Sequence, residues 1–167
     1  MTKKYDPSFP DRYHRQSTRQ PDHHYDWPAT YFITICAEHR ECLFDVPALR
    51  DILQQTWVAL PKRFPGVILD EFVIMPNHVH LIVRLGSDMP KPLPLWQIIG
   101  AYKSITTVAW LHHIKDTTTE YPGIIWQDRY HDHCIRNASE LAAIRKYIRD
   151  NPSNWNPGSD PWNGGMQ

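Results

Sequence analysis

Cysteine is scarce: Cys36, Cys42 and Cys134 are the only three in 167 residues, an odd number without CxxC spacing. That excludes a disulfide framework or a structural zinc knuckle as the organising device, and it fits a reducing cytoplasm. Net charge is missing too, since 18 Lys and Arg balance 18 Asp and Glu. No overall field draws the chain to nucleic acid or an anionic membrane, so any such contact must come from local patches. No apolar run approaches the roughly 20 residues that cross a bilayer. The start, MTKKYDPSFPDRYHRQ, lacks the apolar core of a signal peptide. The expectation is a soluble cytoplasmic protein with no membrane partner, and the length suits one domain able to bury its own core.

Residues 1–28 are polar, proline-bearing and irregular, and Arg12, Arg15 and Arg19 give them a basic bias. They read as an arm, either a solvated tail or a grip on phosphates. Regular structure starts with Tyr31 to Ala37, YFITICA, whose β-branched and aromatic residues predict a strand. Leu49, Ile52, Leu53, Trp57 and Leu60 then recur at helical spacing, from Pro47 to a stop before Pro61. Val67 to Met75 and His78 to Leu85 form two strand runs around the turn pair Pro76-Asn77, a hairpin. After a proline-rich loop over 87–94, helical spacing returns from Leu95 to about Ile114. Tyr130 to Arg136 alternates like a short strand, and Asn137 followed by Glu140 resembles a capping box opening a last helix that ends near Asn151, before Pro152. The order β, α, β, β, α, β plus a trailing helix predicts an α+β, ferredoxin-like fold: an antiparallel sheet with helices on one face and an additional C-terminal helix.

Two spacings carry chemistry. In an extended strand His78 and His80 share one face while Val79 turns to the other, which makes a two-toothed metal clamp. His131-Asp132-His133 has the same spacing in another strand-like segment. Spacing alone does not decide between the pairs. On the last helix Leu141, Ile144 and Ile148 form an apolar stripe, and Tyr147 and Asn151 sit on its flank about 40° apart. As i, i+4 neighbours, a phenol and an amide there reach into a site beside the sheet, or else merely edge the core.

These pieces together resemble the single-tyrosine HUH transposases (histidine, hydrophobic residue, histidine), in particular the REP-associated tyrosine transposases of bacteria. The resemblance runs from Tyr25-Asp26 and the YFITIC segment, through Phe72-Val73-Ile74-Met75-Pro76-Asn77-His78-Val79-His80, to Trp126-Gln127, Tyr130-His131-Asp132-His133, Ile135-Arg136-Asn137 and Tyr147-Ile148-Arg149-Asp150-Asn151-Pro152. It implies that residues 29–155 are the catalytic domain, with the arm before it and a flexible tail over 156–167 after it. His78 and His80 would be paired ligands of a divalent ion, Mg²⁺ or Mn²⁺, with Asn151 a third ligand or positioning residue and Tyr147 the nucleophile. His131 and His133 flank an aspartate where the motif asks for an apolar residue, so the resemblance assigns them to a neighbouring strand or DNA groove. The neutral overall charge departs from what such a DNA binder suggests.

A free phenol ionises near pH 10 and is a poor nucleophile at neutral pH unless its target is activated. The implied reaction is cleavage of single-stranded DNA near hairpin repeats, through a 5′-phosphotyrosine that a 3′-hydroxyl later reverses without ATP. The chain has no phosphate-cradling GxxxxGK[ST] loop, in agreement. Lys103, Arg129, Arg136, Arg145, Lys146 and Arg149 are candidate phosphate contacts, alongside Arg12, Arg15, His131 and His133. Trp57 and Trp110 are expected to pack, while Trp155 and Trp162 sit where exposure allows base stacking. The alternative is a module that grips hairpin DNA without cutting it. Monomer and homodimer both remain open.

Overall fold

The two most apolar strands, β1 (Thr30–Cys36) and β3 (His78–Leu85), occupy the middle of a four-stranded antiparallel sheet. Burial on both faces explains their near-continuous apolar runs. The structure, a computed structural model, describes residues 29–86 and 93–157. The basic arm with Arg12 and Arg15, most of the proline-rich loop and the end of the tail with Trp162 lie outside the described residues. The elements follow the predicted order: α1 (Pro47–Arg63) after β1, then β2 (Val67–Ile74) and β3, α2 (Leu95–Lys115), β4 (His131–Ile135) and α3 (Ala138–Asp150). The sheet order β2-β3-β1-β4 is the ferredoxin-like arrangement.

Alternation along the strands separates two layers. Tyr31, Ile33 and Ile35 of β1 and Val79, Leu81 and Val83 of β3 join Leu49, Leu53 and Trp57 of α1 and Ile98, Tyr102 and Trp110 of α2 in the main core. On the other face Phe32 and Ile82 meet Ile135 and the α3 stripe of Ile144 and Ile148 in a smaller cluster. The tyrosine-bearing helix therefore covers the face opposite α1 and α2. Each buried aliphatic or aromatic side chain contributes about 1.5–3 kcal/mol, so even this small cluster anchors α3.

Three local readings sharpen. Helix α1 does not stop before Pro61 but runs through it to Arg63. A proline one turn from a helix end costs one backbone donor, and the turn beyond it is held by the Phe64 N–H on the Leu60 carbonyl (2.8 Å), with both side chains buried. At the start of α3 the Asn137 side chain accepts from the Glu140 N–H (2.9 Å), as a cap should. The Glu140 carboxylate reaches further: one oxygen accepts from the Arg136 N–H (2.8 Å) and the other meets His133 (3.0 Å). In β2 the register against β3 shifts between Leu69 and Phe72. This bulge carries Asp70 and Glu71, which face basic residues of α3: Arg145 bonds Asp70 through Nε (2.8 Å) and Nη2 (2.5 Å), and Arg149 lies 3.5 Å from Glu71.

Candidate active site

The His78 and His80 side chains lie on the α3 face of the central strand, both fully buried. Their strand pairs with β1 on one side and β2 on the other, with Cys36 opposite His78 and Thr34 opposite His80. Each ring has its Nδ1 engaged: His78 with the Asn77 side-chain oxygen at 2.6 Å, and His80 with the Thr34 hydroxyl at 2.8 Å. An amide oxygen only accepts, so His78 carries its proton on Nδ1 and turns a lone pair outward at Nε2. The two Nε2 atoms are 3.0 Å apart.

Two ring nitrogens so close need something between them, a shared proton or a shared cation. Metal–imidazole bonds are about 2.1 Å long, so one ion can reach both nitrogens. Burial, helped by the charge of Arg40, lowers the His78 pKa to about 3. The ring is therefore neutral near pH 7, the form that ligates. Outer partners such as Asn77 and Thr34 commonly set the tautomer and aim of a ligating histidine. The donor set thus fits a divalent ion, and imidazole suits Mn²⁺ better than the harder Mg²⁺. Among the described residues no group of three His, Cys, Asp or Glu side chains gathers, so further ligands would be amide, water or phosphate oxygens.

Tyr147 arrives from the opposite layer. Its hydroxyl is 3.3 Å from His80 Nε2, and its ring packs edge-on to Phe32 with centroids 6.1 Å apart. Phe32 also lies 5.3 Å from the His80 ring. One apolar side chain thus spaces both phenol and imidazole. Asn151 follows one turn later, half-buried, its N–H bonded to the Tyr147 carbonyl where the α-helix tightens into a 3₁₀ turn over Asn151–Asn154. Trp155, expected to be exposed in a loose tail, is instead half-buried with its ring 6.0 Å from that of His78.

The second histidine pair lies on the same sheet face. In register, His131 sits opposite Thr34 and His133 opposite Phe32. Thr34 thus stands between His131 and His80 in one cross-sheet row, two strand spacings or about 10 Å across. His133 turns to Glu140 instead.

The basic residues read as phosphate contacts divide. Arg129 and Arg136 are exposed near β4. Lys103 donates to the Gln127 and Asp128 carbonyls at 2.6 and 3.0 Å, and its pKa is lowered by burial against the opposing pull of Asp128 and Glu38. Lys146 pairs with Asp150, and Arg149 and Arg145 pair with the β2 bulge.

Residues 25–151 match the family model described as "Transposase IS200 like". The chain belongs to the IS200-like transposase family. A protein of Haemophilus influenzae, described only as uncharacterised, is 32% identical over 175 residues, covering 93% of this chain and 96% of that one. Among solved structures, a REP-associated tyrosine transposase bound to a REP hairpin is similar at a TM-score of 0.60 and 22% identity, covering 82% of this chain and 74% of that chain. A candidate transposase from Deinococcus radiodurans R1 is similar at a TM-score of 0.51 and 17% identity, covering 80% of this chain and 97% of that one. At these identities the likeness to solved structures speaks for the fold. No helix among the described residues is long and apolar enough to cross a membrane.

Four residues of this IS200-like transposase escape a reading of the sequence. Asn77 passes for a turn residue and Thr34 for an ordinary strand residue, yet each holds a histidine Nδ1. Glu140 passes for a helix cap and also orders His133. Arg40 gives no periodic signal at all, and it bears on His78.

Proposed function

We propose that this IS200-like transposase is a metal-dependent single-strand DNA transposase that cleaves and rejoins DNA through a 5′-phosphotyrosine on Tyr147, at REP-type hairpin repeats. One observation carries the reading: within a single chain the Tyr147 hydroxyl lies 3.3 Å from His80 Nε2, which lies 3.0 Å from His78 Nε2. Nucleophile and candidate ligands thus converge on one point of the α3 face.

His78 and His80, aimed by Asn77 and Thr34, would hold the divalent ion, with Asn151 as third ligand or positioning residue. When bound there, Mg²⁺ or Mn²⁺ would supply positive charge to offset the negative charge that develops on the phosphate oxygens. The chain's own contribution is orientation. Phe32 and the α3 stripe fix the Tyr147 ring so that its oxygen approaches the phosphorus in line with the leaving 3′-oxygen. The Tyr147 oxygen forms a bond to phosphorus, the bond to the 3′-oxygen breaks, and the proton lost by the phenol is balanced by one gained at the 3′-hydroxyl. Reversal by another 3′-hydroxyl rejoins the strand, the ester having kept the bond energy.

For the substrate, support comes from the solved transposase bound to a REP hairpin. Arg129, Arg136, His131 and His133 on the β4 side are the phosphate contacts of this reading with most to offer, and Arg12 and Arg15 of the arm would extend the grip. Lys103, Lys146 and Arg149 already hold carbonyls or carboxylates, so their contribution is smaller. The test is incubation with hairpin-bearing single-stranded DNA and Mn²⁺, followed by SDS gels and mass mapping. The expected product is a DNA adduct on the Tyr147 peptide. Salt-sensitive binding without an adduct under any divalent ion would instead establish the non-cutting hairpin binder.

A further inference from the structure

The turn after β1 holds two consecutive non-glycine residues in the left-handed region, His39 at φ 50° and Arg40 at φ 57°. Such a pair is uncommon, and side-chain-bearing residues occupy this region only when their surroundings impose it. What imposes it is a set of backbone ties. The Ala37 N–H donates to the Asn77 carbonyl at 2.8 Å, the Glu38 N–H to the Ile125 carbonyl at 3.1 Å, and the Arg40 N–H back to the Ala37 carbonyl at 3.0 Å. The residue that receives the first tie, Asn77, is the one whose side chain orients His78. The strained turn and the metal-type histidine therefore share one anchor.

The Arg40 side chain is not spread into solvent. Its Nη1 is buried and has no hydrogen-bond partner among the described residues, although an arginine with five donors ordinarily satisfies each buried one. Its charge acts on two imidazoles of the α3 face, opposing protonation of both His78 and His131. A buried guanidinium nitrogen without a partner among the described residues, in a turn tied to the residue that holds His78, leaves a place for an anion. Arginine suits phosphate in particular, because its planar fork donates two parallel bonds.

We propose that Arg40 binds the phosphate at the His78–His80 site, its guanidinium donating to a non-bridging oxygen, with the left-handed turn as the device that holds it there. This rests on the reading of the site as one for DNA cleavage, and two readouts separate the failure of either. Arg40→Gly removes the guanidinium while suiting the backbone, since glycine takes positive φ without strain. Its thermal midpoint should match or exceed that of the wild type. With hairpin single-stranded DNA and Mn²⁺, its adduct should form about 10²-fold more slowly, the usual effect of losing one donor to developing charge. Arg40→Lys should recover part of that loss. In a Tyr147→Phe background, fluorescence anisotropy with the same DNA should show the salt slope of binding fall by about 0.7 on adding Arg40→Gly, the value for one single-strand phosphate contact.

Unchanged adduct rate and salt slope in Arg40→Gly would overturn the proposal. So would a loss of rate that comes with a lowered midpoint and no recovery in Arg40→Lys, which would make Arg40 a purely structural residue. If the wild type forms no adduct, the cleavage reading fails, and the salt slope alone decides whether Arg40 grips a phosphate.

Discussion

The two histidine pairs of this transposase have the same spacing and lie on the same face of the same sheet, yet the structure treats them oppositely. His78 and His80 ride a central strand with neighbours on both sides, are fully buried, and turn their Nε2 atoms toward each other. His131 and His133 ride the edge strand β4, are only half-buried, and diverge, His133 being drawn off by Glu140. The intervening residue helps make the difference. Val79 sits in the main core and nails its strand to α1 and α2, whereas an aspartate at the equivalent position of β4 does no such thing. A His-x-His spacing brings its two rings together only where the other face anchors the strand and the second ring nitrogens find partners.

The largest expected effect tests whether the clamp serves Tyr147. Tyr147→Phe keeps the ring against Phe32 and should abolish the SDS-resistant adduct altogether, with the thermal midpoint within a few degrees of wild type. An equal adduct in the variant would move the nucleophile elsewhere and leave the clamp without the role proposed for it.

Next comes the comparison itself. His78→Ala or His80→Ala should slow Mn²⁺-dependent adduct formation about 10³-fold, several kcal/mol of charge stabilisation. His133→Gln should slow it less than about tenfold, chiefly through weaker DNA binding. Measuring the three side by side against Mn²⁺ concentration settles which pair holds the ion. A loss in His133→Gln as deep as that in His80→Ala would break the distinction.

The fold was legible because its signals are local. The YFITIC run, the 3.6-residue spacing in α1 and α2, and Asn137 as a cap each report on residues within one element, and the ferredoxin-like order followed from their succession. The site was legible only in part. His78, His80 and Tyr147 stand out through motif and resemblance, and the structure brings them together. Thr34 as the partner of His80 is set by cross-strand register over 46 positions, and nothing local announces it. The same holds for Arg145 on Asp70, a contact between a helix surface and a bulge that alternation does not foresee. Pro61 misled because the rule that proline ends helices gives way in the last turn, where burial of Leu60 and Phe64 outweighs one missing donor.

A third prediction concerns what keeps His133 away from the clamp. Glu140 is buried at 8% exposure and serves both the Arg136 N–H and His133. Glu140→Ala should destabilise the fold by about 1–2 kcal/mol in urea unfolding, since it strips a part-buried backbone donor of its partner. His133→Gln alone should cost less than about 1 kcal/mol. Near-equal costs would mean that the His133 contact, rather than the backbone bond, fixes the start of α3.

The smallest effect separates α3 as a carrier of chemistry from α3 as a packed helix. The Asp70 pKa is lowered chiefly by its hydrogen bond to Arg145, against the opposing effect of burial. A carboxylate with a depressed folded pKa binds fewer protons in the native state, so its stabilisation is full above its unfolded value of 3.8 and disappears as the pH falls through the folded value. Arg145 is more than a third exposed, so the ion pair is worth under about 1 kcal/mol. Asp70→Asn should accordingly lose that little stability at pH 7, and the gap to the wild type should narrow as the pH falls below 3.8, as read by urea unfolding across that range. Because Phe32, Ile144 and Ile148 hold α3 independently of this pair, the adduct rate at pH 7 should stay within about twofold. A deeper loss of rate than of stability would show that the bulge, and not the apolar stripe, sets the reach of Tyr147.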